Sequence, residues 1–275
     1  MSMYSLAGIA ARASRIAGKD TMADMPAAIQ PSLLADYRRW FAEAINPAPG
    51  AFEIFKYHMN CQFGGLDLAG KRILEVGCGR GAVSFYLGLF SQAASVCASD
   101  ANEGNGAEAG VLNQLEAGRR HFNIGNLSIL PLDILKNKFS GGAFDVVIAN
   151  YCLHHVTASG ARSRDPEVRT AYLGMFFELR RILAPAGTLS LCEVPGNSFW
   201  RYCPVRLRQR HIDWSLHPTL PEWLRMAREG RFRVVRQTFI PPYRLRAFPG
   251  LQHSAAAAFF LGLDVFITLQ SEHDA

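Results

Sequence analysis

The sequence predicts an α/β fold: a mostly parallel sheet with helices on both faces, preceded by a helical segment. Two features of the 275-residue chain predict it. From Lys71 onward, short apolar runs alternate with helical stretches, the order in which crossover helices join parallel strands. One stretch, "KRILEVGCGRGAVSFYLG" (Lys71 to Gly88), passes from an apolar run through glycines at alternate positions into a second apolar run. That is the pattern of a strand, a tight turn and a helix.

Taken in order, residues 1–60 read as a helical N-terminal cap and 61–275 as the main domain. "QPSLLADYRRWFAEAI" places Leu34, Tyr37, Phe41 and Ile45 on one helical face, with Ser32 as the N-cap after Pro31. "NPAPG" (Asn46 to Gly50) ends that helix, because its prolines and glycine cannot continue it. The strands are "RILEV", "SVCAS", "LSIL", "FDVVIAN" and "GTLSLCEV". Of the helices between them the clearest is "EVRTAYLGMFFELRRIL", whose Tyr172, Phe176, Leu179 and Leu183 recur at helical spacing. "TLPEWLRMAREG" is a further helix, with Pro221 in its first turn and Gly230 past its end. "RFRVVRQTF" and "FFLGLDVFITL" then read as two strands with no helix between them, a hairpin-like antiparallel close to the sheet. "AAAAFFLGL" (Ala255 to Leu263) is read as part of a buried strand.

No apolar run approaches the roughly 20 residues that a membrane span needs. The six cysteines are scattered without a C-x-x-C pair, so neither a disulfide framework nor a metal site is expected, and a reducing, cytoplasmic setting follows. The first nineteen residues carry Arg12, Arg15 and Lys19 and no acid. That composition suits an organelle transit peptide, but a basic amphipathic helix is the favoured reading. The net charge of +6 is uneven. Eleven arginines between Arg201 and Arg246 face only Asp213, Glu222 and Glu229, so the basicity belongs to that segment.

The turn Gly77-Cys78-Gly79-Arg80-Gly81 presents backbone N–H groups and bare Cα atoms to a ligand at the carboxyl edge of the sheet. Two cofactors use such a turn. Gly77, Gly79 and Ala82 satisfy the dinucleotide pattern G-x-G-x-x-G/A, with Asp100 about 20 residues on as a ribose ligand. Glu75 argues the other way. A carboxylate there would repel a pyrophosphate and attract the amino and sulfonium groups of S-adenosylmethionine.

On these residues the sequence resembles the class I S-adenosylmethionine-dependent methyltransferases, in particular the small-molecule enzymes akin to the ubiquinone-pathway group. "LEVGCGRG" is similar to that family's E/D-x-G-x-G-x-G motif, and Asp100 to the acid that holds the ribose hydroxyls. "LDILKNKFSGGAFDVVIAN" resembles the stretch in which an aspartate, here Asp133, meets the adenine amino group, with Asp145 twelve residues on. "LRRILAPAGTLSL" resembles the family's L-R-x-L-x-P-G-G; Ala186 stands in for the first of those glycines, a change expected to be without consequence. The resemblance covers about residues 70–270 and implies a Rossmann-like, seven-stranded sheet whose last strand is antiparallel. It implies a cofactor site of Glu75, Gly77, Cys78, Gly79, Gly81, Asp100, Ala101, Asp133, Ile134 and Asn150.

Methyl transfer from a sulfonium is an in-line displacement, so alignment in a dry pocket is the protein's main contribution, and only a proton-bearing nucleophile needs a base. The catalytic candidates are His154 and His155 of "NYCLHHV", and Glu193 at the end of the fifth strand. For Glu193 an ion pair with an arginine of the basic segment is the favoured alternative; His211 and His217 are weaker candidates. An insertion at about 195–218, where the family commonly binds its acceptor, carries Trp200, Arg201, Tyr202, Arg206 and Arg210. Arginines interleaved with aromatics suit an anionic acceptor with an apolar or aromatic body, a metabolite, lipid or quinone-like molecule; a solvated basic surface is the plain alternative. Nucleic acid is disfavoured as a partner, since the fourth strand ends in "NYCL" and not in an N-P-P-Y type of sequence. The rival functions are an RNA or protein methyltransferase, a non-catalytic partner subunit that binds the cofactor and, more distantly, an NAD-dependent oxidoreductase.

Overall fold

A computed structural model describes residues 30–101, 110–156, 165–203 and 212–272. The basic first nineteen residues, with Arg206, Arg210 and His211, lie outside the described residues. Two helices come first, α1 (Pro31–Ala44) and α2 (Ala51–Phe63). There follow β1 (Arg72–Val76), α3 (Ala82–Phe90), β2 (Ser95–Asp100), α4 (Val111–His121), β3 (Leu127–Pro131), β4 (Phe144–Asn150), α5 (Pro166–Ile182) and β5 (Leu183–Glu193). The chain closes with the short α6 (Phe199–Tyr202), then α7 (Leu220–Glu229), β6 (Phe232–Ile240), α8 (Ala255–Leu261) and β7 (Asp264–Ser271).

The seven strands run in the order β3-β2-β1-β4-β5-β7-β6. The first five pair in parallel, and β7 is antiparallel to both its neighbours. Successive side chains of a strand point to opposite faces, and this splits the core. Ile73, Val146 and Ile148 join Phe85, Phe90 and Leu115 of α3 and α4, together with Tyr37, Phe41 and Phe52 of α1 and α2. Leu74, Val147 and Ala149 join Tyr172, Phe176 and Leu179 of α5 and Trp223 of α7 on the other face. Strands buried on both sides explain why their sequences are continuous apolar runs. The connection reverses between β1 and β4, which opens a crevice at the carboxyl ends of those strands.

Three readings of the sequence are corrected. Ala255–Leu261 is a helix, not a strand: the Ser254 hydroxyl accepts from the N–H of Ala257, four alanines favour the helix, and Gly262 ends it in a left-handed conformation. The pair β6 and β7 is antiparallel as expected, but α8 lies between its members, so it is not a hairpin. Gln30, not Ser32, is the N-cap of α1, because Pro31 occupies the first helical position. The expected helix at Thr219 is closed by a reciprocal cap, in which the Glu222 carboxylate accepts from the Thr219 N–H at 2.7 Å and the Thr219 hydroxyl accepts from the Glu222 N–H. Ala186, expected to be neutral, sits at φ +57°, a left-handed conformation that a side chain disfavours.

Candidate active site

The carboxyl ends of β1, β2, β4 and β5 converge on the crevice, and each contributes a polar group there. After β1 the chain turns through Gly77, Gly79 and Gly81, all at positive φ. The turn is tied to β2 at two points: the Cys78 N–H donates to the Ser99 carbonyl at 2.9 Å, and the Gly79 N–H donates to Asp100 Oδ2 at 2.7 Å. Asp100, at the end of β2, therefore holds the glycine turn directly. Gly77 and Gly79 differ in what surrounds them. A Cβ at Gly77 would lie 2.4 Å from Cys152 Cβ, so the turn packs tightly on the chain after β4. A Cβ at Gly79 would meet nothing within 4 Å.

Glu75 is buried and points to the α3 face, where it accepts a short hydrogen bond from the Ser84 hydroxyl. Burial raises its pKa from 4.5 to about 8, although the bond from Ser84 works against the shift. Cys78 fills a buried site in the turn, and burial pushes its thiol up; all six cysteines are free. On the β3 side, Asp133 is half exposed; it accepts from the Leu135 N–H at 3.0 Å and pairs with Lys136 at 3.0 Å. Ile134 beside it is buried in the core on the α5 face. Ala101 follows Asp100 and is partly buried. Asp145 lies at the opposite edge of the sheet, where Arg72 grips it with bonds of 2.9 and 3.1 Å.

Asn150, at the end of β4, exchanges amide hydrogen bonds with Gln62 of α2, at 2.8 and 3.2 Å. The same Gln62 donates to the Ser190 hydroxyl of β5 at 3.1 Å. Nothing in the sequence singled out Gln62, one polar residue among several near the end of a helix. It is fully buried and links the N-terminal helices to the two central strands. Arg236 of β6 donates to the carbonyls of Cys61, Gln62 and Gly64 and so closes the C-terminus of α2. One arginine of the basic segment is thereby structural. Tyr151 follows at φ +54°, strained for an aromatic residue, and its hydroxyl donates to Asp264 at 2.7 Å.

His154 and Glu193, proposed separately from the sequence, lie together. His154 Nδ1 is 2.8 Å from Glu193 Oε2, and the Leu153 N–H donates to Glu193 Oε1 at 3.0 Å. Glu193 is fully buried and His154 nearly so. The carboxylate of Glu193 is thus bonded to His154, and the expected arginine is replaced by a histidine and a backbone amide because β4 and β5 are neighbours in register. In the neutral tautomer that turns Nδ1–H to the carboxylate, the second nitrogen of His154 offers a lone pair. The His155 and His217 rings lie 4.0 and 4.1 Å from that of His154. Burial lowers the pKa of His155, and burial followed by the neighbouring imidazole of His154 lowers that of His217 to about 4. His217, a weaker candidate on the sequence, is thus brought beside the histidine pair. The loop that carries it is clasped to the end of β5 by the Gly196 N–H, which donates to the Pro218 carbonyl at 2.9 Å.

Of the substrate candidates, Trp200 packs against Gly262 at the end of α8, with its indole nitrogen buried and without a hydrogen-bond partner. Arg201 donates to the Gly196 carbonyl at 2.9 Å, and Tyr202 is largely exposed. Among the described residues no helix is long and apolar enough to cross a membrane.

The fold has counterparts of known structure. An S-adenosylmethionine-dependent methyltransferase from Aquifex aeolicus is 14% identical, with 88% of this chain and 97% of that chain covered and a TM-score of 0.53. One from Mesorhizobium loti is 15% identical over 78% and 97% of the two chains, with a TM-score of 0.55. The [4+2]-cyclase SpnF is 16% identical over 80% and 81%, with a TM-score of 0.54. At such identities the likeness is one of fold, which by itself does not fix a reaction. No curated protein sequence gives a significant match. A family model described as a methyltransferase domain matches residues 56–255. That match takes in most of the chain, which therefore belongs to the class I S-adenosylmethionine-dependent methyltransferases and uses S-adenosylmethionine as its cofactor.

Proposed function

We infer that the acceptor is a small organic molecule, anionic, with an apolar or aromatic body, and that the N-terminal helices α1 and α2 cap the cofactor domain that follows, residues 1–29 lying outside the described residues. The observation that carries this reading is the buried His154–Glu193 pair at the ends of β4 and β5, in the crevice that the glycine turn also borders. The turn suits the cofactor: the open face at Gly79 leaves room for close approach, and Asp100 fixes the turn from behind. S-adenosylmethionine supplies an electrophilic methyl group, and the chain's own residues do the rest. Asp100 and Asp133 take the ribose and adenine, Glu75, bonded to Ser84 and kept largely protonated near neutral pH by burial, supports the turn from beneath, and Asn150, braced by Gln62, lines the methionine end. His154, oriented by Glu193, takes the proton of an acceptor hydroxyl or amine. Trp200 and Tyr202 stand on the acceptor side; Arg201 is turned to the Gly196 carbonyl, and Arg206 and Arg210 lie outside the described residues.

Three described arginines of the basic segment are engaged within the chain and are not presented to a polyanion. Arg201 and Arg236 are turned to backbone carbonyls, and Arg246 lies over the Tyr243 ring at 4.0 Å. A single-turnover assay with methyl-labelled cofactor and the small-molecule fraction of a cell extract tests the site. His154→Ala should lower transfer at least 100-fold, in line with the usual contribution of a general base, while cofactor affinity measured by calorimetry stays within a factor of about 3. Transfer at the parent rate would remove His154 from the chemistry.

A further inference from the structure

His154, Glu193 and His217 hold more donor capacity than one hydrogen-bonded pair uses. One ligand atom from each lies within 4.8 Å of the other two, and all three side chains are buried. Nδ1 of His217 is buried with no hydrogen-bond partner, and so is Nδ1 of His155, whose ring borders His154. A buried imidazole nitrogen without a partner has given up hydration for nothing in return. The rings of His155 and His217 each lie about 4 Å from that of His154, and His154, His217 and the Glu193 carboxylate concentrate nitrogen and oxygen lone pairs that a single cation would satisfy at once.

The three donors come from three fixed places. Glu193 closes β5, and the Leu153 N–H holds one of its oxygens. His154 sits in the helical turn after β4, whose carbonyl accepts from the Tyr172 hydroxyl at 3.4 Å. His217 belongs to the loop that Gly196 and Asn197 hold, the latter by accepting from the Leu220 N–H at 3.1 Å.

We propose that His154, Glu193 and His217 bind one divalent first-row transition ion, zinc by the nature of the donors. Two imidazoles and a carboxylate suit zinc, whereas magnesium and calcium demand oxygen. Bonds of about 2.0–2.2 Å place tetrahedral donors roughly 3.3 Å apart. The His154–Glu193 contact at 2.8 Å therefore opens slightly, and His217 closes in from at most 4.8 Å. Three protein ligands leave the fourth position for a hydroxyl or carboxylate oxygen of the acceptor, with His154 then serving as a ligand. This deepens the reading of the site as one for an anionic oxygen acceptor and rests on that reading for the acceptor alone.

The full-length protein, stripped with a chelator, is titrated with zinc chloride in a calorimeter. One equivalent should bind, at least 10-fold more weakly in His217→Ala and in Glu193→Gln, and unchanged in His121→Ala, an exposed control. Circular dichroism checks each variant's fold, and His217→Gln replaces an alanine variant that does not fold. Loading with cobalt(II) should give the visible absorption of a tetrahedral nitrogen and oxygen site, without the charge-transfer band that a cysteine ligand would add. Absence of saturable zinc binding, or binding that survives the loss of His217, overturns the proposal. Zinc bound by a protein that transfers no methyl group to any small molecule would keep the metal site and sink the acceptor reading. Methyl transfer by a protein that takes up no metal would do the reverse.

Discussion

Gly79→Ala separates the cofactor role of the glycine turn from its structural role. Gly79 sits at φ +50°, and the added methyl group would meet nothing within 4 Å. The folded state then bears only the left-handed backbone, about 1–2 kcal/mol for a non-glycine residue, offset by roughly 0.5–1 kcal/mol because alanine stiffens the unfolded chain. The net loss of stability should be about 1 kcal/mol or less. Cofactor binding should suffer more. A methyl group in the face that S-adenosylmethionine approaches costs about 1–3 kcal/mol, as overpacking does elsewhere, or roughly 5- to 150-fold in Kd. Gly77→Ala reverses the balance. Its Cβ would lie 2.4 Å from Cys152 Cβ, which is fixed to the backbone, so the turn itself must move and stability should fall by roughly 2–4 kcal/mol. Calorimetry with S-adenosylmethionine and urea unfolding of both variants provide the two readouts. Unchanged cofactor affinity in Gly79→Ala, with the protein folded, would refute the placement of the cofactor against that face.

Other consequences can be checked on the same footing. Glu75 has a folded-state pKa of about 8 against an ordinary 4.5, so folding takes up a proton. Its contribution is full below pH 4.5 and is lost as the pH rises through 8; in Glu75→Gln that part of the decline should vanish, a difference on the order of 3 kcal/mol between pH 4.5 and 7. If urea unfolding gives the two proteins the same pH slope, Glu75 is not the titrating group. Ala186→Gly should raise stability by about 0.5–1 kcal/mol, because glycine adopts φ +57° freely; a loss would contradict the strain. Gln62→Leu should cost about 2 kcal/mol or more, since it strands Asn150 and Ser190. A melting temperature equal to that of the parent would show that the amide network contributes nothing.

The sheet was legible because its strands are buried on both faces: "FDVVIAN" runs apolar from Val146 to Ala149 and becomes β4 with the expected bounds. Ala255–Leu261 was misread because an apolar run has no period to distinguish strand from helix, and its deciding signals, Ser254 and Gly262, lie outside the run. On the glycines alone a dinucleotide remained open, and the family match over residues 56–255 closes that alternative. Asp100 was legible by position, yet its bond to the Gly79 N–H depends on β1 and β2 being neighbours. Gln62 and His217 were not legible as site residues. Each reaches the carboxyl edge through tertiary packing, from α2 and from the loop before α7, and neither carries a local pattern. The pairing of His154 with Glu193 follows from the parallel register of β4 and β5, which only the folded sheet reveals.

The central claim is methyl transfer from S-adenosylmethionine to a small molecule. Its most direct test is to incubate the full-length protein with methyl-labelled S-adenosylmethionine and a cell extract separated into small-molecule, RNA and protein fractions. Mass spectrometry should find the label in one or a few products of the small-molecule fraction, of acidic character. Label confined to the RNA or protein fraction would contradict the account.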